Sequence, residues 1–72
     1  MIKMNLNLLM AERKLSQREL SKLIDIRQAT ISAYCNNTFV MIPRDHLDIF
    51  CKFFNCSVED LIEYVVEKKV EE

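Results

Sequence analysis

Four side chains in this chain could ligate a soft metal or act as nucleophiles: Cys35, His46, Cys51 and Cys56. Zinc sites gather such residues in close pairs, and no pair here has that spacing. Cys51 and Cys56 lie five apart, which points them to different sides of a helix. The cysteine count is odd and no secretory signal is recognisable, so the expectation is reduced, buried thiols rather than a disulfide framework. His46 is the one histidine, and no cysteine has an obvious base beside it. The chain contains no glycine, so a phosphate-cradling loop is missing too. These residues imply no enzyme, no metal, no cofactor and no small-molecule ligand. His46 reads as a surface or helix-start residue.

A different chemistry resides in "RQATISAYCNN", residues 27 to 37. On a helix advancing about 100° per residue, Ile31, Tyr34, Thr30 and, at the margin, Cys35 share one side. Gln28, Ala29, Ser32, Ala33 and Asn36 share the other. None of these five is charged and none is bulkier than Gln. A solvated helix face normally carries Lys and Glu, whereas this one suits close approach to hydrogen-bonding edges. The major groove of DNA admits one helix; Gln pairs with adenine in bidentate fashion, Ser is adaptable and Ala touches a thymine methyl. Arg13, Lys14, Arg18, Lys22, Arg27 and Arg44 surround the segment as candidates for phosphate neutralisation. The plainer alternative is a small polar face on which a second protein docks.

The charge distribution points the same way. Net charge is −1, but residues 1–44 hold seven Lys/Arg against three Asp/Glu, whereas residues 45–72 hold three against eight. Such asymmetry accompanies nucleic-acid binding at the basic end, or simply two solvated faces of opposite sign. At 72 residues the chain is long enough for one domain, 1–72. Its longest apolar runs, "LLMA" and "FVMI", are too short to span a bilayer. A soluble, cytoplasmic protein is expected.

The elements that must position these residues follow from periodicity and punctuation. Without glycine, left-handed backbone falls to Asn or Asp, and Asp25, Asn36-Asn37 and Asn55 each follow a helical run. A first helix is predicted over Leu6 to Arg13, facing inward with Leu6, Leu9 and Met10. A second opens at Ser16 with Glu19 as its capping-box partner, turns Leu20, Leu23 and Ile24 inward, and ends at Asp25. The third runs from Arg27 or Gln28 to Asn36. A fourth follows Pro43, with Leu47, Phe50, Cys51 and Phe54 as core. The fifth starts at Ser57 with Asp60 three positions on, and buries Leu61 together with Val58 or Ile62. "MIKMNL" alternates like a short strand, and Tyr64, Val65 and Val66 have β-propensity, so the two ends can pair. The tail, 67–72, is expected to fray. "TFVMI" is unusually apolar for a loop. Phe39 and Ile42 are expected to fold back onto the core, leaving Val40 and Met41 as a candidate dimer contact.

Taken together, "SQRELSKLIDIRQATISAYCNN" resembles the helix-turn-helix of the phage-repressor and Cro type, the Xre family. The shared positions are Gln17, the small Ser21, Asp25 at the turn, Ile26, and Thr30-Ile31-Ser32. "LDIFCKFFNCSVEDLI" resembles that family's last two helices. The resemblance covers about residues 5 to 63, with its helix-turn-helix core at 16–37. It implies an all-α, five-helix lambda-repressor-like bundle, here with a two-stranded pairing of its ends. It also implies sequence-specific binding to double-stranded DNA by a small transcriptional regulator, such as a repressor, commonly as a homodimer. By position, base reading carries over to Gln28, Ala29 and Ser32, flanked by Arg27 and Ala33. Backbone contact carries over to Gln17, with Arg18 and Lys22 nearby, and to Asn36, Asn37 and Thr38. The chain departs from the family's pattern in having Asp25 and Asn37 where glycines are usual, and Arg27 where a small helix cap is usual. The alternative is a protein-interaction module, antitoxin-like or an adaptor, that keeps the fold and engages a partner through the 38–42 loop or the acidic C-terminal half.

Overall fold

The computed structural model describes residues 1–66; the expected fraying of 67–72 lies outside them. In chain order the elements are β1 (Ile2–Met4), α1 (Leu6–Glu12), α2 (Gln17–Leu23), α3 (Gln28–Asn36), α4 (Arg44–Phe54), α5 (Val58–Leu61) and β2 (Ile62–Tyr64). Five helices and a paired set of termini match the expected architecture.

Three helices end in the same way. Lys14, Asn37 and Asn55 adopt left-handed backbone at φ 55°, 57° and 54°. The next residue in each case donates its N–H back across the turn: Leu15 to Met10 O (2.9 Å), Thr38 to Ala33 O (2.9 Å) and Cys56 to Cys51 O (3.0 Å). This is the Schellman arrangement, which satisfies carbonyls that a helix end leaves orphaned. Asn37 and Asn55 are where glycine-free logic places them. The first such position is Lys14, however, and not Asp25. Lysine tolerates the strained φ because the turn swings Leu15 back against the core.

Asp25 needs no left-handed backbone because α2 stops early. Ile24 leaves the helix in extended conformation (φ −128°, ψ 165°). The chain bends there, and Ile24 and Ile26 both reach the core, Ile24 half-buried and Ile26 buried. Leu23, expected inside, is 59% exposed. The N-terminus of α2 carries the predicted capping box: Glu19 N–H donates to Ser16 Oγ (3.1 Å) and Ser16 N–H to the Glu19 carboxylate (2.9 Å).

The core gathers Met4, Leu6, Met10, Leu20, Ile26, Ile31, Tyr34, Phe50, Phe54 and Leu61. Phe39 and Ile42 pack against it from the loop, as expected, while Val40 is 95% and Met41 75% exposed. Leu47 and Cys51 of α4 are half-buried beside the core, and so is Ile62; Val58 is exposed. The strands pair antiparallel with Ile2 opposite Tyr64, Lys3 opposite Glu63 and Met4 opposite Ile62. The second strand starts at Ile62, earlier than its β-propensity suggests. After a single turn α5 passes directly into it, and Leu61 O accepts the Asn5 N–H at 2.7 Å. Val65 and Val66 lie beyond the strand.

Two expectations about the cysteines are corrected. All three are free and only half-buried. Cys56 does not continue the helix of Cys51, because α4 ends at Phe54 and the left-handed Asn55 folds the chain back.

Candidate nucleic-acid interface

Helix α3 is held by two buried side chains, Ile31 and Tyr34, and packs against α2. Its other side is open. Gln28 and Ala29 are exposed, Ser32 and Ala33 half-exposed, and Asn36 exposed. Asn36 Nδ2 donates to Ser32 Oγ at 3.3 Å, one helical turn away. This leaves the Ser32 hydroxyl hydrogen free to donate outward. Arg27 sits before the helix in extended conformation and caps it with no side-chain bond, so its guanidinium is exposed beside Gln28.

The fold sorts the expected site residues into groups. Arg27, Gln28 and Ala29 line one open groove with Thr30 and His46. Gln17 and Asn36 line a second, between the start of α2 and the end of α3. Gln17 is half-buried near Cys35, whose Sγ donates to Met10 Sδ at 3.7 Å; burial pushes the Cys35 thiol up and the Gln17 side chain offsets part of that. Arg18 and Lys22 are exposed on α2, and Thr38 is exposed just past α3. Asn37 has a second duty. Its Oδ1 accepts the Met4 N–H at 2.7 Å and ties β1 to the end of α3. Val40 and Met41 stand apart on the loop.

Two residues behave differently from their expected roles. Arg13 is taken up structurally: its guanidinium donates to Phe54 O (3.0 Å) and Phe53 O (3.5 Å), and stacks near both rings at 5.4 and 5.9 Å. A cation on the orphan carbonyls of a helix C-terminus is favourable for both hydrogen bonding and the dipole. His46 is not a plain surface residue. Its Nδ1 lies 2.6 Å from the Tyr34 hydroxyl, which links α3 to α4. Sequence patterning carries no signal for that pair, since the partners lie twelve apart across an irregular loop.

A protein-family model described as a Cro/C1-type HTH DNA-binding domain matches residues 5–67. The chain therefore belongs to the Cro/C1-type helix-turn-helix family. Over 60 residues it is 33% identical to YozG, an uncharacterized HTH-type transcriptional regulator of Bacillus subtilis (strain 168), spanning 83% of this chain and 71% of that protein. A crystal structure of a Bacteroides fragilis protein assigned as DNA-binding superimposes with a TM-score of 0.74 at 24% identity. It covers 88% of this chain and all of its own, a likeness of fold. No helix among the described residues is long and apolar enough to cross a membrane.

Proposed function

We propose that the protein is a small, cytoplasmic transcriptional regulator that binds double-stranded DNA in a sequence-specific manner, with α3 as the helix entering the major groove. One domain, 1–72, carries this function. The observation that carries the reading is the surface of α3: small, uncharged and open along Gln28, Ala29, Ser32 and Ala33, while Ile31 and Tyr34 are buried beneath it. Gln28 offers an amide that matches the N6/N7 edge of adenine, and Ala29 and Ala33 let the helix backbone approach closely. Arg27 reads a flanking base or its phosphate. Gln17, Arg18, Lys22, Asn36, Asn37 and Thr38 flank this face and hold the sugar-phosphate backbone, which sets position rather than sequence. For Asn37 the free group is its amide nitrogen, since its oxygen serves Met4.

A homodimer brings two α3 helices to half-sites about one helical turn apart. Val40 and Met41, apolar and almost wholly uncovered, supply the contact.

Selection of bound sequences from a random duplex pool tests the reading. The expected result is an enriched motif, arranged as two related halves, whose affinity falls steeply with added salt. No enrichment and no retarded duplex at low salt would favour the protein-docking alternative.

A further inference from the structure

We propose that Cys51 and Cys56 form a dithiol site which small disulfides of the glutathione class oxidise to an intramolecular disulfide. The argument starts from the helix end. In a Schellman turn the residue after the left-handed position and the residue five before it are brought together, and their side chains commonly touch. The other two turns of this protein place Leu15 against Met10 and Thr38 against Ala33 by the same 6→1 hydrogen bond. At the third, both members of the pair are cysteines, joined by the Cys56 N–H to Cys51 O bond of 3.0 Å. Both are half-buried rather than sealed, and both line an open groove with Arg44, Leu47, Ser57 and Val58. A small oxidant can therefore reach them. Neither takes part in the DNA-facing surface, so the inference stands apart from the function proposed above.

The two thiols also feel each other. Burial pushes the Cys56 thiol up, and the neighbouring Cys51 and Asp60 push the same way against a smaller opposing pull from Arg13. The Cys56 thiolate is thus disfavoured, and Cys51, the other thiol open to the groove, makes the first attack. Its thiolate displaces one glutathione thiolate from the small disulfide and forms a mixed disulfide. Cys56 then loses its proton to solvent and attacks Cys51 Sγ, expelling the second glutathione. Two electrons leave the protein, two thiols become one disulfide, and one small disulfide becomes two small thiols.

Lys52 lies between the two cysteines, so trypsin reports the link directly. The full-length chain is equilibrated with mixtures of reduced and oxidised glutathione, trapped with acid and an alkylating reagent, and digested. The expected result is that peptides 45–52 and 53–68 remain joined, lighter by two hydrogens, while Cys35 stays alkylatable. Half-oxidation should require a glutathione mixture about tenfold less oxidising for the native chain than for the chain in urea, because the fold raises the effective concentration of one thiol at the other. Separate glutathione adducts on Cys51 and Cys56, a link to Cys35, or equal oxidation in urea would each overturn the proposal.

Discussion

Gln28 illustrates how much one side chain can be asked to do. Its amide is exposed at the first position of α3, where no hydrogen-bond partner among the described residues competes for it. Substituting Gln28→Ala is expected to cost about 1–3 kcal/mol on the selected site and far less on random duplex. A mobility-shift titration on both sequences checks this, and equal losses would mean that Gln28 does not read a base. Arg18→Ala should instead weaken binding to every sequence alike and reduce the slope of affinity against salt by about one. Lys14 provides a test of strain. A non-glycine residue at φ 55° carries a cost that glycine avoids, so Lys14→Gly is expected to gain about 0.5–1 kcal/mol in urea unfolding. A lower midpoint would show that the lysine side chain stabilises more than its backbone costs. Asn37 cannot be treated likewise. Replacing it with glycine keeps the turn but strips the buried Met4 N–H of its acceptor.

Between elements, the fold depends on a few polar clasps laid over an apolar core. Arg13 closes the end of α4 from α1, and Arg13→Ala is expected to destabilise the protein by about 1–2 kcal/mol through the lost carbonyl contacts and ring stacking. Because Arg13 faces Phe53 and Phe54 rather than the α3 surface, the affinity of the remaining folded protein for DNA should change little; thermal melting and mobility shift together separate the two effects. Tyr34 is the corresponding clasp between α3 and α4. Burial raises its phenol above the ordinary 10.0. The neutral form is the one the folded state favours, so this contribution to stability is complete below pH 10 and fades as pH rises through the higher folded value. A Tyr34→Phe variant should lose that alkaline dependence, read from urea midpoints across pH.

At the scale of the molecule the open question is association. Val40 and Met41 protrude from a loop whose neighbours Phe39 and Ile42 are anchored in the core, so the protrusion is presented on a fixed base. Val40→Glu is expected to convert a dimer to a monomer in sedimentation while leaving the helical circular dichroism intact. Unchanged sedimentation would remove this loop from the interface. Among the described residues, the basic N-terminal part and the acidic stretch after residue 44 belong to one folded body, joined by the antiparallel pairing of β1 with β2. Its DNA affinity should therefore depend on where the positive charge lies and not on a net charge of −1.

Local rules were enough for much of this protein. Apolar spacing marked Leu6, Met10, Ile31, Phe50 and Phe54 as core, and the lack of glycine pointed to Asn37 and Asn55 as left-handed caps. The bland face of α3 was readable for the same reason: helical periodicity sets Ala29, Ser32 and Ala33 apart from Ile31 and Tyr34, whereas Gln28, one turn before Ile31, is exposed because it opens the helix. What the sequence could not determine were contacts between residues far apart in the chain. Arg13 looked like a phosphate ligand but α4 ends beside it, Leu23 looked buried but the helix stops there and Ile24 and Ile26 fill its place, and Cys56 looked remote from Cys51 but the turn at Asn55 folds it back. Periodicity reports which side of an element a residue occupies. Which partner waits on that side depends on how the elements pack, and that is a property of the folded chain as a whole.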